Sequence, residues 1–190
     1  MIGFSVKDDA TPELTRILSG VRHRRPIMAR LGKQLEVALR EHFLLRESDS
    51  PNKQGFPRQH FWSRLRKATS LTGADEHTAT VTVADPAFAL KLYGGTVRPK
   101  QAEALAIAIH RAVYGIRPRS AQIPGLFVWR NPETQKAFLA AQGADGKLTL
   151  YYVLVSQAVH PRDPRALPDM ALIERQLAAR AEELIRERKN

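Results

Sequence analysis

The stretch FALKLYGGTVRPKQAEALAIAI, Phe88 to Ile109, decides the fold, because it joins a short helix to a strand through a corner of paired glycines. Just ahead of it, Asp85-Pro86 is a helix start: a side-chain acceptor at the cap, then a ring whose φ suits the first helical position. Phe88, Leu92 and Tyr93 then share one side of the helix. Gly94 follows the last periodic residue, where a left-handed backbone commonly ends a helix, and Gly95 lets the chain turn into Thr96-Val97. From Leu105 to Ile109 the order Leu-Ala-Ile-Ala-Ile predicts a strand with large side chains on one face, alanine on the other, and both faces covered.

Outward from this corner, Met1 to Val6 suits a short edge strand or an arm. Thr11-Pro12 opens a first helix to about Gly20 along Leu14, Ile17, Leu18 and Val21. After Pro26 a second helix places Ile27, Leu31, Leu35, Ala38 or Leu39, and His42 on its apolar side, with Lys33, Glu36 and Arg40 opposite. Glu36 and Arg40 stand in the favourable i,i+4 order. Ser48 to Pro57 collects loop formers and reads as an exposed connection. Phe61-Trp62, set among Arg58, His60, Arg64, Arg66 and Lys67, could stack nucleic-acid bases. Helical spacing with Leu65 and Ala68 favours core packing instead.

Thr78 to Val83 predicts a strand paired with the Leu105–Ile109 strand or its neighbour. Arg111 to Ile123 reads as a long basic loop, and Leu126 to Trp129 as a short buried strand ending at the Asn131-Pro132 turn. Lys136 to Ala141 and Leu148 to Val155 form a hairpin across Gly143-Ala144-Asp145-Gly146. Pro161, Pro164 and Pro168 force an extended passage. Asp169 then caps a helix whose stripe is Leu172 or Ile173, Leu177, Ala181 and Leu184. The whole is a single α+β domain, 1–190: a helical N-terminal part over 11–47, the loop 48–57, an α+β body over 58–160 and a C-terminal helix over 169–188. N-terminal helices and the C-terminal helix pack on a mostly antiparallel β-sheet.

A chain of 190 residues with 43% hydrophobic and 26% charged content buries an ordinary core. No apolar run approaches the ~18 residues of a membrane span, so no membrane contact is expected. Met1 to Asp9 lacks the basic-then-apolar pattern of a secretory signal, so synthesis in the cytoplasm is expected. The absence of cysteine removes disulfides and thiolate metal sites. The net charge of +11 points to an acidic partner, or to a solvated basic surface. The last helix is balanced, so the excess lies earlier: Arg22, Arg24 and Arg25, then Arg58, Arg64 and Lys67, then Arg117 and Arg119, with Arg98, Lys100 and Arg111 flanking the strand. Of these, Arg22, Arg24, Arg25, Arg58, Arg64, Lys67, Arg117 and Arg119 are the candidate contacts with DNA or a partner, and the Ser48–Pro57 loop is a further candidate for partner contact.

Five phrases in fixed order, PNKQGFPRQHFW (Pro51–Trp62), YGGTVRP (Tyr93–Pro99) with ALAIAI, VYGIRPR (Val113–Arg119), PGLFVW (Pro124–Trp129) and PRDPRALPDMALIERQL (Pro161–Leu177), resemble the virion-morphogenesis, or tail-completion, family of Mu-like phages and prophages. The resemblance implies a structural virion protein of the neck that joins tail to head, made in the bacterial host cytoplasm. Its implied partners are other neck and tail proteins, further copies in a homo-oligomeric ring (a hexamer), and packaged DNA touched without sequence preference. A tail terminator or head-closure protein of the same assembly, or a basic nucleic-acid-binding module, are the alternatives.

No enzyme is expected. HExxH, GxSxG, Walker and dinucleotide patterns are missing, and the six histidines are too scattered for a local metal site. Gly94-Gly95 is no phosphate cradle, since a strand and not a helix N-terminus follows. No catalytic residue, cofactor or metal ligand is assigned.

Overall fold

The computed structural model describes residues 24–49, 55–57 and 59–187. The expected strand or arm at Met1–Val6, the helix from Pro12, Arg22, Arg58 and most of the 48–57 loop lie outside the described residues. The fold is α+β, with four α-helices and eight strands among the described residues and every strand pair antiparallel. Its contacts gather into two compact units.

The first unit draws on 24–47, 62–85 and 167–187. Helix α1 (Arg25–Asp49) buries Ile27, Gly32, Glu36, Leu39 and Phe43 along one stripe. Glu36 therefore faces inward, not opposite the apolar side as expected, and is only 3% exposed. The apolar residues expected beside it, Leu31, Leu35, Ala38 and His42, are half-buried. The inversion has a cause in strand β1 (Thr69–Ala74), which offers the backbone N–H of Leu71 to the Glu36 carboxylate at 3.1 Å. Lys33 Nζ donates to both carboxylate oxygens at 3.0 Å, and Arg40 lies at 3.0 Å. Arg40 also donates to the Thr69 carbonyl at 2.7 and 3.1 Å. Gly32 lets α1 approach this close, since a Cβ there would stand 2.5 Å from Leu71 and 2.8 Å from Ala79.

Helix α2 (Phe61–Ala68) runs straight into β1 and buries Trp62 and Leu65. Trp62 is 5% exposed, with its ring centroid 6.0 Å from Phe43 and the Arg46 guanidinium 4.7 Å away on the ring. A base has no face of Trp62 to stack on. Strand β2 (Ala79–Val83) pairs with β1, not with the Leu105 strand as expected. A four-residue turn makes the local partner nearer. Asp75 closes it, accepting from the Thr78 hydroxyl at 2.6 Å and from the His77 and Thr78 N–H groups at 2.7 Å, which together hold its carboxyl down to about 2. Helix α4 (Met170–Glu187) starts where Asp169 accepts from the Ala171 N–H at 3.0 Å. It buries Ile173 and Leu184 on the expected stripe, leaving Leu172 exposed.

The second unit draws on the described parts of 48–61 and on 86–166. Helix α3 (Pro86–Tyr93) buries Phe88 and ends on Gly94, φ +73°, then Gly95, φ +151°, as the corner requires. Tyr93 instead points to solvent, 76% exposed. Strand β3 (Gly95–Val97) then pairs with β8 (Ala158–His160). Gly94 sits so close to that strand's exit that a Cβ would meet Arg162 N at 2.8 Å and His160 O at 2.9 Å.

Four strands make the main sheet, in the order β4 (Leu105–Ala108), β7 (Leu148–Val155), β6 (Ala137–Gln142), β5 (Phe127–Arg130). The β6–β7 hairpin forms as expected, with a register shift after Leu139. The Leu105 strand is an edge, not the covered centre expected of it, and Ile107 is 41% exposed. The Phe127 strand is the other edge and is largely exposed where burial was expected, Val128 reaching 62%. Apolar composition alone cannot distinguish an edge from a centre, because both need β-forming side chains.

Two measurements test these joints. Glu36 is held below its ordinary value of 4.5 chiefly by Lys33, with help from the Leu71 N–H and Arg40 against the effect of burial. A carboxylate lowered on folding stabilises fully above that ordinary value and loses its contribution as pH falls through the folded one. Glu36→Gln should cost about 1–3 kcal/mol at pH 7 by leaving buried groups poorly satisfied. The gap to wild type should narrow in denaturant melts taken below pH 4.5. Gly94→Ala should cost about 1–3 kcal/mol from the positive φ and the backbone clash. Gly73→Ala, where a Cβ meets nothing within 4 Å, should leave the thermal midpoint nearly unmoved.

Candidate nucleic-acid interface

Directly opposed residues in a sheet share a face, and in the main sheet the register sorts them. One face carries the row Ile107, Val153, Phe138, Trp129. The other carries the row Ala108, Tyr152, Leu139, Val128, followed by Ala106, Leu154, Ala137, Arg130. Tyr152 is buried, and its hydroxyl donates to the Ile116 carbonyl at 3.0 Å. That bond ties the basic 111–123 segment onto the second face. Burial pushes the Tyr152 phenol up, so it stays a neutral donor.

The segment is not the irregular loop its prolines suggest. It holds two 3₁₀ turns, Arg111–Val113 and Pro118–Ser120. His110 Nδ1 accepts from the Ala112 N–H at 3.2 Å to cap the first, and Val113 is buried beneath it. Tyr114 packs on Phe56 at a centroid distance of 5.0 Å. The cations of this segment, Arg111, Arg117 and Arg119, all reach solvent from a backbone that is pinned at several points. Arg130 lies on the same face of the sheet. Strand spacing and rise put its Cα about 12 Å from that of Tyr152. It donates to its own turn at Gln135 O, 3.1 Å.

Charge divides unequally between paired and unpaired groups. Residues 86–166 hold eleven lysines and arginines against four carboxylates, and one of the four, Asp163, lies 3.9 Å from Lys91. Arg98, Lys100, Arg111, Arg117, Arg119 and Arg162 are exposed and make no ion pair among the described residues. In the first unit several cations are matched instead: Arg180 to Glu183 at 2.7 Å and Glu187 at 3.1 Å, Arg30 to Glu187 at 3.4 Å, Arg64 to Asp85 at 2.6 Å, while Arg25, Arg66 and Lys67 are exposed without an ion pair among the described residues.

The proposed contact residues separate accordingly. Arg117 and Arg119 share the anchored segment with Arg111, and Arg130 lies on the sheet face to which that segment is tied. Arg64 is engaged by Asp85, one of the corner residues, and Lys67 is exposed beside it on α2. Arg24 and Arg25 are exposed at the start of α1, while Arg22 and Arg58 lie outside the described residues. Pro86, Gly94 and Gly95 act as structural residues of the corner. Sequence reasoning missed Arg130, whose face is set by cross-strand register, though its place after an aromatic strand was visible.

No group of three or more His, Cys, Asp or Glu side chains that could hold a metal ion occurs among the described residues. The groups with displaced pKa values, Glu36, Asp75, Tyr152 and Arg180, each have a structural cause. No described helix is long and apolar enough to cross a membrane. No protein-family model, curated protein or solved structure matches the chain.

An arginine-rich surface free of carboxylate partners suits phosphate oxygens, which accept bidentate guanidinium bonds. Affinity for duplex DNA should fall with salt at a log–log slope of about −0.9 per phosphate contact, whatever the sequence. Arg111→Glu, Arg117→Glu and Arg119→Glu together should flatten that slope by roughly three contacts' worth. Reversal of Arg180, which is ion-paired, should leave it unchanged. Unchanged binding in the triple variant would make the charge a solubility device only.

Proposed function

We propose that this protein is a structural subunit of a phage virion, a tail-completion or head–tail joining protein of the neck in a Mu-like phage or prophage. It acts as one member of a homo-oligomeric ring around the DNA path. The observation that carries this reading is the set of exposed arginines without ion partners among the described residues, held on a backbone segment pinned by the Tyr152 hydroxyl. A surface of that kind neutralises phosphates without reading bases, as a passage for DNA requires. The five ordered phrases of sequence supply the assembly in which such a passage occurs. Tail terminator and head-closure roles share this chemistry and differ only in neighbours.

A second reading, a basic nucleic-acid-binding module outside any virion, is favoured by the same arginines. Burial of Trp62 removes the stacking platform that would have made it a single-strand binder. Reconstruction of purified particles separates the two. The neck reading expects several symmetry-related copies between tail and head. Particles that lack the subunit, or hold a single copy, would overturn it.

A further inference from the structure

We infer that a second copy of this chain extends the main sheet, the outer edge of β5 in one copy pairing with the outer edge of β4 in the next. Neither edge has a further strand among the described residues. β4, Leu-Ala-Ile-Ala, is short but carries no charge, proline or bulge, three of the devices by which proteins protect an edge from pairing. Ile107 is exposed on it and Ile109 just past its end, and Phe127 and Val128 are exposed on the opposite edge.

The backbone phase of the two edges matches. The Ile109 N–H bonds Tyr151 O and the Asn131 N–H bonds Lys136 O, so odd-numbered residues of both edge strands turn toward their own sheet. Ala106, Val128 and Arg130 therefore turn their N–H and C=O outward. An even number of antiparallel strands makes β5 of one copy antiparallel to β4 of the next, with the same faces aligned. Setting Phe127 opposite Ile107 brings Val128 to Ala106. That pairing merges the exposed apolar residues of the two edges. A two-fold β4–β4 contact would leave the Phe127 edge bare.

The contact is head-to-tail, and repeated with rotation it closes a ring. It deepens the ring reading above and rests on it for closure alone. The chain has no cysteine, so introduced cysteines report without background. Residues 127 and 107 would form a non-hydrogen-bonded pair, with Cα atoms about 4.5 Å apart and within disulfide reach. Mild oxidation of the Ile107→Cys, Phe127→Cys double variant should give a ladder of covalent oligomers on a non-reducing gel. Either single variant should stay monomeric. Adding Ala106→Pro, which removes only an outward N–H, should abolish the ladder while circular dichroism and thermal midpoint hold.

A folded double-cysteine variant without cross-links, a ladder indifferent to Ala106→Pro, or a dimer of Ile107→Cys alone would overturn the inference. These readings come from purified protein and particle reconstruction reads the virion, so the interface and the neck role can fail separately.

Discussion

A carboxylate taken out of water beside a helix glycine sets the packing of the first unit. Glu36 must keep its charge partners wherever it is buried, because an unpaired ion in the interior costs several kcal/mol. Lys33 and Arg40 come from its own helix, one turn before and one turn after, and the Leu71 N–H comes from β1. These bonds admit one depth and one rotation of α1 against the β1–β2 hairpin. Gly32 removes the side chain that would block that depth. An apolar residue at 36 could pack there too, but it would not tie the strand's first free N–H to the helix.

The second unit solves a different problem, how to hold many like charges on a folded surface. Its sheet is fixed by backbone ladders and by the buried Tyr152, not by ion pairs. The hydroxyl of Tyr152 reaches a carbonyl of the basic segment, so the arginines are positioned without being neutralised. Self-repulsion among them is the cost, a modest one because each side chain reaches water, where charges farther apart than about 8 Å are largely screened at physiological salt. Cations engaged by carboxylates in the first unit stabilise structure. Those left open here are available to an outside anion.

Both arrangements use polar groups at positions where composition suggests either a solvated face or a core. A buried glutamate costs more than it returns unless the strand and helix meet in one way, which makes the helix–hairpin joint specific. An open edge strand without charge is similarly a choice against solubility. It is tolerable where another strand completes it.

Local signals determined a great deal: the α3–Gly94–Gly95–β3 corner, the β6–β7 hairpin, the turn at Asn131-Pro132 and the capped α4 all depend on propensity and φ within a few residues. Core packing of Trp62 and Leu65 followed from helical spacing. Which strand pairs with which did not, since β2 chose the adjacent β1 and the Leu105 strand became an edge, and register depends on contacts far apart in sequence. The inward turn of Glu36 was equally illegible, because a strand thirty-five residues away supplies its donor. Sequence determined where the positive charge lies along the chain. Only the tertiary structure decided which of it is spent on ion pairs and which is left facing water, because pairing is a matter of distance in space and not of order along the backbone.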